Sequence, residues 1–387
     1  MFAVAVSLAL FAFSLASCAA PQVVARTLPL KSDLAIVIAG NSHTLAVTAD
    51  GELWVWGAND TGELGLGDNV NRIEPARAGT ASNWVTAAAG RFFTVAINSN
   101  GELYSWGNSG YGGWFGVNAP NTPVRVGSQN NWAFVAAGSS STFAINTDGE
   151  LWAWGFNELG TLGLGDNEDR AEPERVGTAS NWVFVTAGED HTVAINADGE
   201  LWTWGANDFS QLGDGTWTGQ NLPFRVGDAS NWVTAATGGS HTMAINSDGE
   251  MWAWGSNGSG QLGDGTRIMR ERPVRVAILD GNTRWAAVSA GISHTVAITA
   301  GGEMWSWGWN SSGALGDGTQ TASDWPVRVG AASNWFSVSA GGAHNIAINA
   351  DGEIWTWGAN SLGQIGDGSW TGDFQLDNVY EPVRIQF

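Results

Sequence analysis

The chain has 387 residues, of which 43% are hydrophobic, so it can bury a large core and is not intrinsically disordered. Its 37 acidic residues against 16 basic ones give a net charge of −21, which repels phosphate backbones and anionic lipid headgroups and argues against a nucleic-acid partner. The single cysteine, Cys18, excludes an internal disulfide and a thiolate zinc site.

The chain begins with an apolar segment that resembles an export signal. Residues 2–17 carry no charge, not even an initial Lys or Arg, and end in small residues directly before Cys18. This run is shorter than the roughly 20 residues of a membrane-spanning helix. The tetrapeptide L-A-S-C resembles a bacterial lipobox, so we expect a signal peptide over 1–17 and a lipidated Cys18 with a tether over 18–33. The alternative is a buried core segment with an inert thiol.

After this segment the sequence is built from repeats. The dipeptide Trp-Gly recurs seven times at intervals of about 50 residues. Each unit reads approximately N-W-V-x-x-x-A-G-x-x-H-T-x-A-I-N-x-D-G-E-L-W-x-W-G-x-N-x-x-G-x-L-G-D-G, followed by P-V-R-V-G. The glycines of the dipeptides are Gly57, Gly107, Gly155, Gly205, Gly255, Gly308 and Gly358.

Each unit contains the signal of a β-hairpin. In the fourth unit, apolar and polar residues alternate on both sides of the dipeptide Asp198-Gly199. A W-V-x-x-x-A-G strand and a P-x-R strand flank the hairpin, and no window has a convincing helical period. Each unit is therefore predicted to be a four-stranded antiparallel sheet, the blade of a propeller.

The chain ends predict how the ring closes. With small variations, the W-V-x-x-x-A-G strand occurs six times, whereas P-x-R occurs seven times, the last at 382–384. We expect the N-terminal strand, 34–40, to supply the missing strand by pairing with the C-terminal blade, which would remove an exposed sheet edge. The predicted fold is all-β: a monomeric seven-bladed β-propeller forming a single domain over 34–387.

The repeated unit resembles the regulator-of-chromosome-condensation repeat over residues 34–385. This resemblance implies a propeller that uses one face to grip another protein. Family members include a nuclear exchange factor for a small GTPase, a plant ultraviolet photoreceptor and a secreted bacterial inhibitor of β-lactamase. The photoreceptor function would require a G-W-R-H-T cluster, and this chain has G-N-S-H, G-E-D-H and G-G-S-H in those loops instead.

All five histidines occupy one repeat position, which Phe93 and Ser141 fill in the other two units. A residue that recurs once per blade does the same structural job in each, and seven-fold geometry separates equivalent positions. We therefore favour a structural role over a metal ring or a set of proton carriers. These histidines are His43, His191, His241, His294 and His344.

The sequence predicts no enzyme. Catalysis needs one unit to differ from its equivalents by a nucleophile or an acid–base pair, and no such set is visible. The Asp-Gly loops, such as 213–215, lack the spaced carboxylates of a calcium loop. We therefore expect no catalytic residues, metal or cofactor. The arginine of each P-x-R strand and the glutamate after each Asx-Gly or Gly-Gly turn are expected to form ion pairs within or between blades.

Five tryptophans lie outside the repeat, each between a Trp-Gly dipeptide and the following P-x-R strand. In a meander, these connections emerge on the face that also carries the first-to-second-strand loops. Exposed Trp, Phe and Arg side chains on one face are typical of protein-binding hot spots. The candidate partner-binding residues are Arg91, Phe92, Phe93, Trp114, Trp217, Arg267, Arg270, Trp309, Trp325 and Trp370. The alternatives are that the loops bury their own tryptophans, or that Arg267 and Arg270 pair with neighbouring Asp-Gly loops.

These observations lead to one main functional hypothesis. The protein is expected to be a non-enzymatic, extracytoplasmic binding module of the bacterial cell envelope, secreted or held at the membrane only by lipid on Cys18. The resemblance to the secreted inhibitor implies inhibition of an enzyme. The alternatives are a carbohydrate-binding surface lipoprotein, since Trp beside Asp and Asn also suits sugar stacking, and exchange-factor activity on a GTPase, which export disfavours.

Overall fold

The computed structural model describes residues 34–108, 119–276, 283–371 and 377–386. Within these ranges all regular structure is β: 28 strands form seven four-stranded antiparallel sheets. The all-β seven-bladed propeller predicted from the repeats is confirmed. The predicted signal peptide and Cys18 lie outside the described residues.

The first four blades each consist of four consecutive strands. Blade one contains β1 (Leu34–Ala39), β2 (His43–Thr48), β3 (Glu52–Gly57) and β4 (Arg72–Ser82). Blade two contains β5 (Trp84–Ala89), β6 (Phe93–Asn98), β7 (Leu103–Gly107) and β8 (Val124–Arg125). Blade three contains β9 (Trp132–Ala137), β10 (Ser141–Asn146), β11 (Leu151–Gly155) and β12 (Arg170–Arg175). Blade four contains β13 (Trp182–Ala187), β14 (His191–Asn196), β15 (Leu201–Gly205) and β16 (Gln220–Arg225).

The last three blades follow the same order. Blade five contains β17 (Trp232–Thr237), β18 (His241–Asn246), β19 (Met251–Gly255) and β20 (Arg270–Arg275). Blade six contains β21 (Trp285–Ala290), β22 (His294–Thr299), β23 (Met304–Gly308) and β24 (Ser323–Arg328). Blade seven contains β25 (Trp335–Ala340), β26 (His344–Asn349), β27 (Ile354–Gly358) and β28 (Val379–Ile385).

The Asx-Gly turns join the second and third strands, as the hairpin signal predicts. In blade four, Gly199 has a φ of 74°, and an added Cβ would lie 2.5 Å from the carbonyl oxygen of Ser230. Only glycine fits both conditions without strain. The Gly199 carbonyl accepts a hydrogen bond of 3.0 Å from the Trp232 amide. The equivalent bond recurs in the first six blades, so each of these turns also positions the first strand of the next blade.

The expected closure of the ring is wrong. Strand β1 pairs with β2 in its own sheet, and blade seven is complete with β25 to β28. The physical reason is that each blade is formed by one unit, which begins with the W-V-x-x-x-A-G strand and ends with the P-x-R strand. Residues 34–39 are therefore the first strand of blade one, and blade seven has its own first strand, β25. The ends of the ring meet side by side instead, and Val37, Ile348 and Ile365 pack in one shared core cluster.

Ion pairs join the third and fourth strands within each blade. In blade one, Arg77 Nη1 lies 2.8 Å from Glu52 Oε1 across β3 and β4. Both side chains are partly exposed, so each pair contributes only about 0–1 kcal/mol. The other pairs are Arg125–Glu102, Arg175–Glu150, Arg225–Glu200, Arg275–Glu250, Arg328–Glu303 and Arg384–Glu353.

Neighbouring blades are joined by a repeated polar contact inside the core. The Thr161 carbonyl, in the β11–β12 loop, accepts hydrogen bonds from Thr192 Oγ1 at 2.9 Å and Trp204 Nε1 at 2.7 Å in blade four. Five other junctions repeat this geometry, with Asn345 Nδ2 replacing the threonine in blade seven. The accepting carbonyls there belong to Glu63, Gln211, Gln261, Ala314 and Gln364.

The five histidines complete these junctions. His191 Nε2 lies 2.8 Å from Thr242 Oγ1 of the next blade. Because that hydroxyl donates to the Gln211 carbonyl, Nε2 carries the proton and donates, while the buried Nδ1 has no partner. His43, His241, His294 and His344 make the equivalent contact. The structure therefore places the five rings at separate blade junctions.

Burial gives these imidazoles a strong preference for the neutral form. Desolvation lowers the pKa of His43 and His294 to about 4, and that of His191, His241 and His344 to about 3. A proton added at Nδ1 would be buried with no acceptor. The folded state therefore binds these protons much more weakly than the unfolded chain, whose histidines have ordinary pKa values near 6.5.

Acid should destabilise the protein through these histidines. Their contribution to stability is complete above about pH 6.5 and falls by about 1.4 kcal/mol per pH unit for each histidine as the pH decreases towards 4, because the unfolded state takes up the protons. We expect His191→Ser to reduce the slope of the unfolding free energy against pH by the contribution of one histidine, about 1.4 kcal/mol per pH unit. Blade three already carries Ser141 at this position. Denaturant titrations between pH 7 and 5 measure the slope, and equal slopes would contradict the prediction.

The contribution of the tryptophan N–H donors at the blade junctions to stability should also be measurable. Trp204→Phe removes the N–H that binds the Thr161 carbonyl, at an expected cost of about 1 kcal/mol beyond the lost packing. Trp202→Phe in the same strand is the matched control, because its buried Nε1 has no hydrogen-bond partner. We expect Trp204→Phe to lower the denaturant midpoint more. A larger loss for Trp202→Phe would show that the hydrogen bond is not the main contribution.

Candidate functional site

Two sets of loops share one face of the ring, which we call the loop face. It comprises the first-to-second-strand loops and the third-to-fourth-strand loops, residues 40–42 and 58–71 in blade one and their equivalents. The Ala58 amide donates to the Ser42 carbonyl at 2.9 Å, and Ala206 donates to Asp190 at 2.8 Å, so the two loops of a blade are in contact. The Asx-Gly turns lie at the opposite ends of the same strands.

The central channel opens on the loop face. The first strand of every blade lines it, and their ends enclose a cavity of about 250 Å³. Backbone hydrogen bonds run from blade to blade around this opening, for example from Arg91 N to Ser139 O at 3.3 Å and from Ile292 N to Gly342 O at 3.2 Å. These bonds fix the positions of the side chains that surround the opening.

Trp217 and Trp325 are the most exposed tryptophans among the described residues. Trp217, in the β15–β16 loop, is 53% exposed, and its Nε1 donates to Glu271 Oε1 of blade five at 3.0 Å. Trp325 lies in β24 and is 54% exposed, with its ring against Gly265 of blade five. Both indoles therefore contact residues 265–272, one near each end of that segment.

Residues 265–272 are themselves unusually exposed and basic. Ile268 is 63% exposed, and Arg267 is exposed with no ion pair among the described residues. We call the surface formed by Trp217, residues 265–272 and Trp325 the blade-five patch. It combines two aromatic rings, one aliphatic side chain and a free guanidinium, the composition of a binding hot spot.

Arg270 has a different role from Arg267. Its Nη2 lies 2.6 Å from Asp264 Oδ2, and Asp264 also accepts hydrogen bonds from Thr266. Burial raises the pKa of Asp264, but the hydrogen bonds from Thr266 and Arg270 outweigh it and hold that pKa below its ordinary value. Arg270 therefore stabilises its own loop, in agreement with the alternative that the basic residues of this segment pair with Asp-Gly loops.

The second blade presents only part of the predicted set. Phe92 is exposed, and the Arg91 guanidinium lies over its ring, 5.1 Å from the centroid. Phe93 is fully buried, so the expectation that it contacts a partner is wrong. It occupies the histidine position, which points into the blade junction, and its ring packs against Gly90.

The remaining predicted tryptophans are dispersed. Trp370 is exposed in blade seven, where its Nε1 donates to the Ser361 carbonyl at 2.9 Å. Trp309 is partly buried, which excludes a fully exposed anchor at that position. Trp114 lies outside the described residues. The loop face thus separates Trp370 from the blade-five patch rather than gathering all the tryptophans together.

Phe209 is an exposed apolar residue that the candidates predicted from the sequence do not include. It is half exposed in the β15–β16 loop, close in sequence to Trp217. The next residue, Ser210, has a φ of 57° and is the one non-glycine residue with positive φ in the described ranges. The six other units have glycine at the same distance from the Trp-Gly dipeptide. In the sequence, Phe209 could have been recognised as an aromatic residue next to a serine that replaces the glycine of the repeat. Blade four therefore departs from the repeat at Phe209, Ser210 and Trp217.

The described part of the chain gives no indication of a metal centre or a membrane span. No group of three or more His, Cys, Asp or Glu side chains in these ranges is arranged to hold a metal ion. No helix in them is long and apolar enough to cross a membrane.

Comparisons with solved structures agree with this geometry. A human WBSCR16 structure has a TM-score of 0.77 and 20% identity, with 87% of this chain and 94% of that chain covered. A Saccharomyces cerevisiae Prp20p structure, described with its binding properties to Gsp1p and histones, has a TM-score of 0.77 and 22% identity, covering 92% and 88%. At these identities the likeness shows a common fold.

Sequence comparisons identify the family. The Arabidopsis thaliana RCC1 domain-containing protein RUG3, mitochondrial, is 46% identical over 54 residues, 14% of this chain. The chain spans about a tenth or less of the length of the first curated relatives it matches. Matches to the regulator of chromosome condensation (RCC1) repeat are found over 50–97 and 148–195, and over 36–63, 84–112 and 132–161. The RCC1-like domain matches residues 178–387, more than half of the chain, and the protein therefore belongs to the RCC1-like domain family.

Proposed function

We propose that this propeller is a non-enzymatic module whose loop face binds a protein partner through the blade-five patch. The observation that carries this proposal is the pair Trp217 and Trp325, both more than half exposed and both held against one basic segment. Exposed tryptophans with a neighbouring arginine are the residues most enriched at energetic hot spots. A monomeric protein rarely exposes such a group without a function.

The rigidity of the frame supports this role. Trp217 is fixed by its hydrogen bond to Glu271, and Arg270 fixes the loop below it through Asp264. Side chains that are already ordered lose less conformational entropy when they bind. The patch therefore presents preorganised aromatic anchors, with Arg267 as a charged group at the same surface.

The family supports a protein partner without naming it. The Prp20p structure is described with binding to Gsp1p and histones, and the same fold bound to Kap60 has been solved. The present chain has 22% and 21% identity to these proteins. We therefore propose a protein partner as the class of ligand, and its identity has to come from experiment.

We further propose that the protein acts outside the cytoplasm as an inhibitor of a secreted or envelope enzyme. This part rests on the sequence of residues 2–18 and on the resemblance to the secreted family member. The expected form is cleaved before Cys18 and lipidated there. Cys18→Ser should move the protein from the membrane fraction to the soluble fraction of the producing cells, measured by fractionation and intact-mass spectrometry. An unlipidated Cys18 in the wild-type protein would overturn this part alone.

The binding surface can be tested by site-specific photocrosslinking. A benzoylphenylalanine at Ile268, 63% exposed in the patch, should crosslink a protein from the cell envelope or culture fluid. The matched control is Val183, 50% exposed near the Asx-Gly end of the channel, which should not. Loss of each tryptophan anchor is expected to cost at least about 2 kcal/mol, or about 30-fold in affinity.

The double variant Trp217→Ala/Trp325→Ala should therefore lose the Ile268 crosslink while its thermal melting stays close to that of the parent. Trp370→Ala is the control for loss of an exposed tryptophan elsewhere on the loop face. Equal crosslinking from Val183, or an Ile268 crosslink that survives in the double variant, would contradict the proposal. Competition of the crosslink by free oligosaccharide would instead favour a glycan ligand.

A further inference from the structure

One position around the channel opening carries six different residue types across the seven blades. It follows the glycine at the end of each first strand, and every residue at this position lines the cavity. In six of the blades its backbone amide donates a hydrogen bond to the neighbouring blade, so the fold uses the main chain there and does not depend on the side chain. The occupants, from blade one to blade seven, are Asn41, Arg91, Ser139, Glu189, Gly239, Ile292 and Gly342.

This ring contains one cation and one anion. Arg91 and Glu189 lie on blades two and four, separated by Ser139, and neither forms an ion pair with any described residue. Both side chains are open to solvent at the rim. Partial burial and the charge of Asp190 raise the pKa of Glu189, while Arg91 acts in the opposite direction. The two charges therefore influence each other, and both residues line the cavity at the channel opening.

The other half of the ring is apolar. Gly239, Ile292 and Gly342 carry no polar side chain, and Ile292 is partly exposed. A Cβ added to Gly239 would lie 3.2 Å from Glu189 Oε2 and 3.3 Å from Ile292 Cγ2. The carboxylate and the aliphatic side chain therefore approach the same point, and a bound ammonium group at Glu189 would have an apolar surface beside it.

We propose that the channel opening binds a free apolar α-amino acid, with its ammonium at Glu189, its carboxylate at Arg91 and its side chain against Ile292. Arginine matches the planar geometry of a carboxylate, and charge-assisted hydrogen bonds are stronger than neutral ones. The cavity of about 250 Å³ is smaller than the roughly 300 Å³ at which drug-sized pockets begin. Its size suits one amino acid, and the site is separate from the blade-five patch.

The test is calorimetric titration of the full chain with L-leucine. We expect saturable 1:1 binding, and at least tenfold weaker binding of N-acetyl-L-leucine, which lacks the ammonium, and of 3-methylbutylamine, which lacks the carboxylate. Arg91→Gln and Glu189→Gln should each weaken L-leucine binding at least tenfold. Arg284→Gln, which removes an exposed arginine beside the Gly249 turn on the opposite face of the ring, should leave the affinity unchanged.

A charge exchange separates recognition from folding. Arg91→Glu should abolish binding, and the double variant Arg91→Glu/Glu189→Arg should recover part of it, with all variants melting near the parent temperature. Absence of binding to the parent, equal affinity for the acetylated ligand, or unchanged affinity in Arg91→Gln and Glu189→Gln would each overturn the proposal. The photocrosslink from Ile268 should not respond to L-leucine, so failure of either proposal leaves the other assessable.

Discussion

The structure depends on a single backbone carbonyl in the loop after each third strand. At six described junctions this oxygen accepts one hydrogen bond from a buried tryptophan and one from a threonine or asparagine of the following blade. In five blades a histidine donates to the threonine or asparagine of the next blade and so extends the chain of hydrogen bonds. A buried carbonyl without a partner is costly, so each loop is held in the one conformation that meets its neighbour. The positions of the exposed loop residues follow from this fixed loop geometry.

Much of the fold could be predicted from the sequence because its determinants are local and repeated. The Asx-Gly turns set the hairpins, and alternation along the strands sets the buried faces. Ring closure could not be derived in the same way, since counting strands does not show where a unit begins. Only the pairing of β1 with β2 in the folded structure shows that the first unit begins at β1. The same limitation explains Phe93, whose burial follows from the histidine position it occupies rather than from its neighbours Arg91 and Phe92.

The candidate site was predicted at the level of the face and only partly at the level of residues. Trp217 and Trp325 were found because tryptophan outside the repeat is easy to recognise. Phe209 was missed because it lies within the repeated loop, where its chemistry differs but its spacing does not. Arg270 and Arg267 are close in sequence, yet one is bound to Asp264 and the other is exposed. That difference depends on side-chain contacts that a sequence pattern cannot specify.

The way the ring closes determines how it responds to mechanical load. No strand is exchanged between the first and last blades, so the seam between them consists of the same contacts as other junctions, with the Thr44 hydroxyl and the Trp56 indole bound to the Gln364 carbonyl. The chain does not run directly from blade seven to blade one, so these noncovalent contacts alone hold the two blades together. A pull on the N-terminal segment acts first on β1, a strand that lines the channel, pairs with β2 and also contacts β5 and β25 in the two neighbouring blades. Resistance to such a pull is therefore shared by two junctions at once.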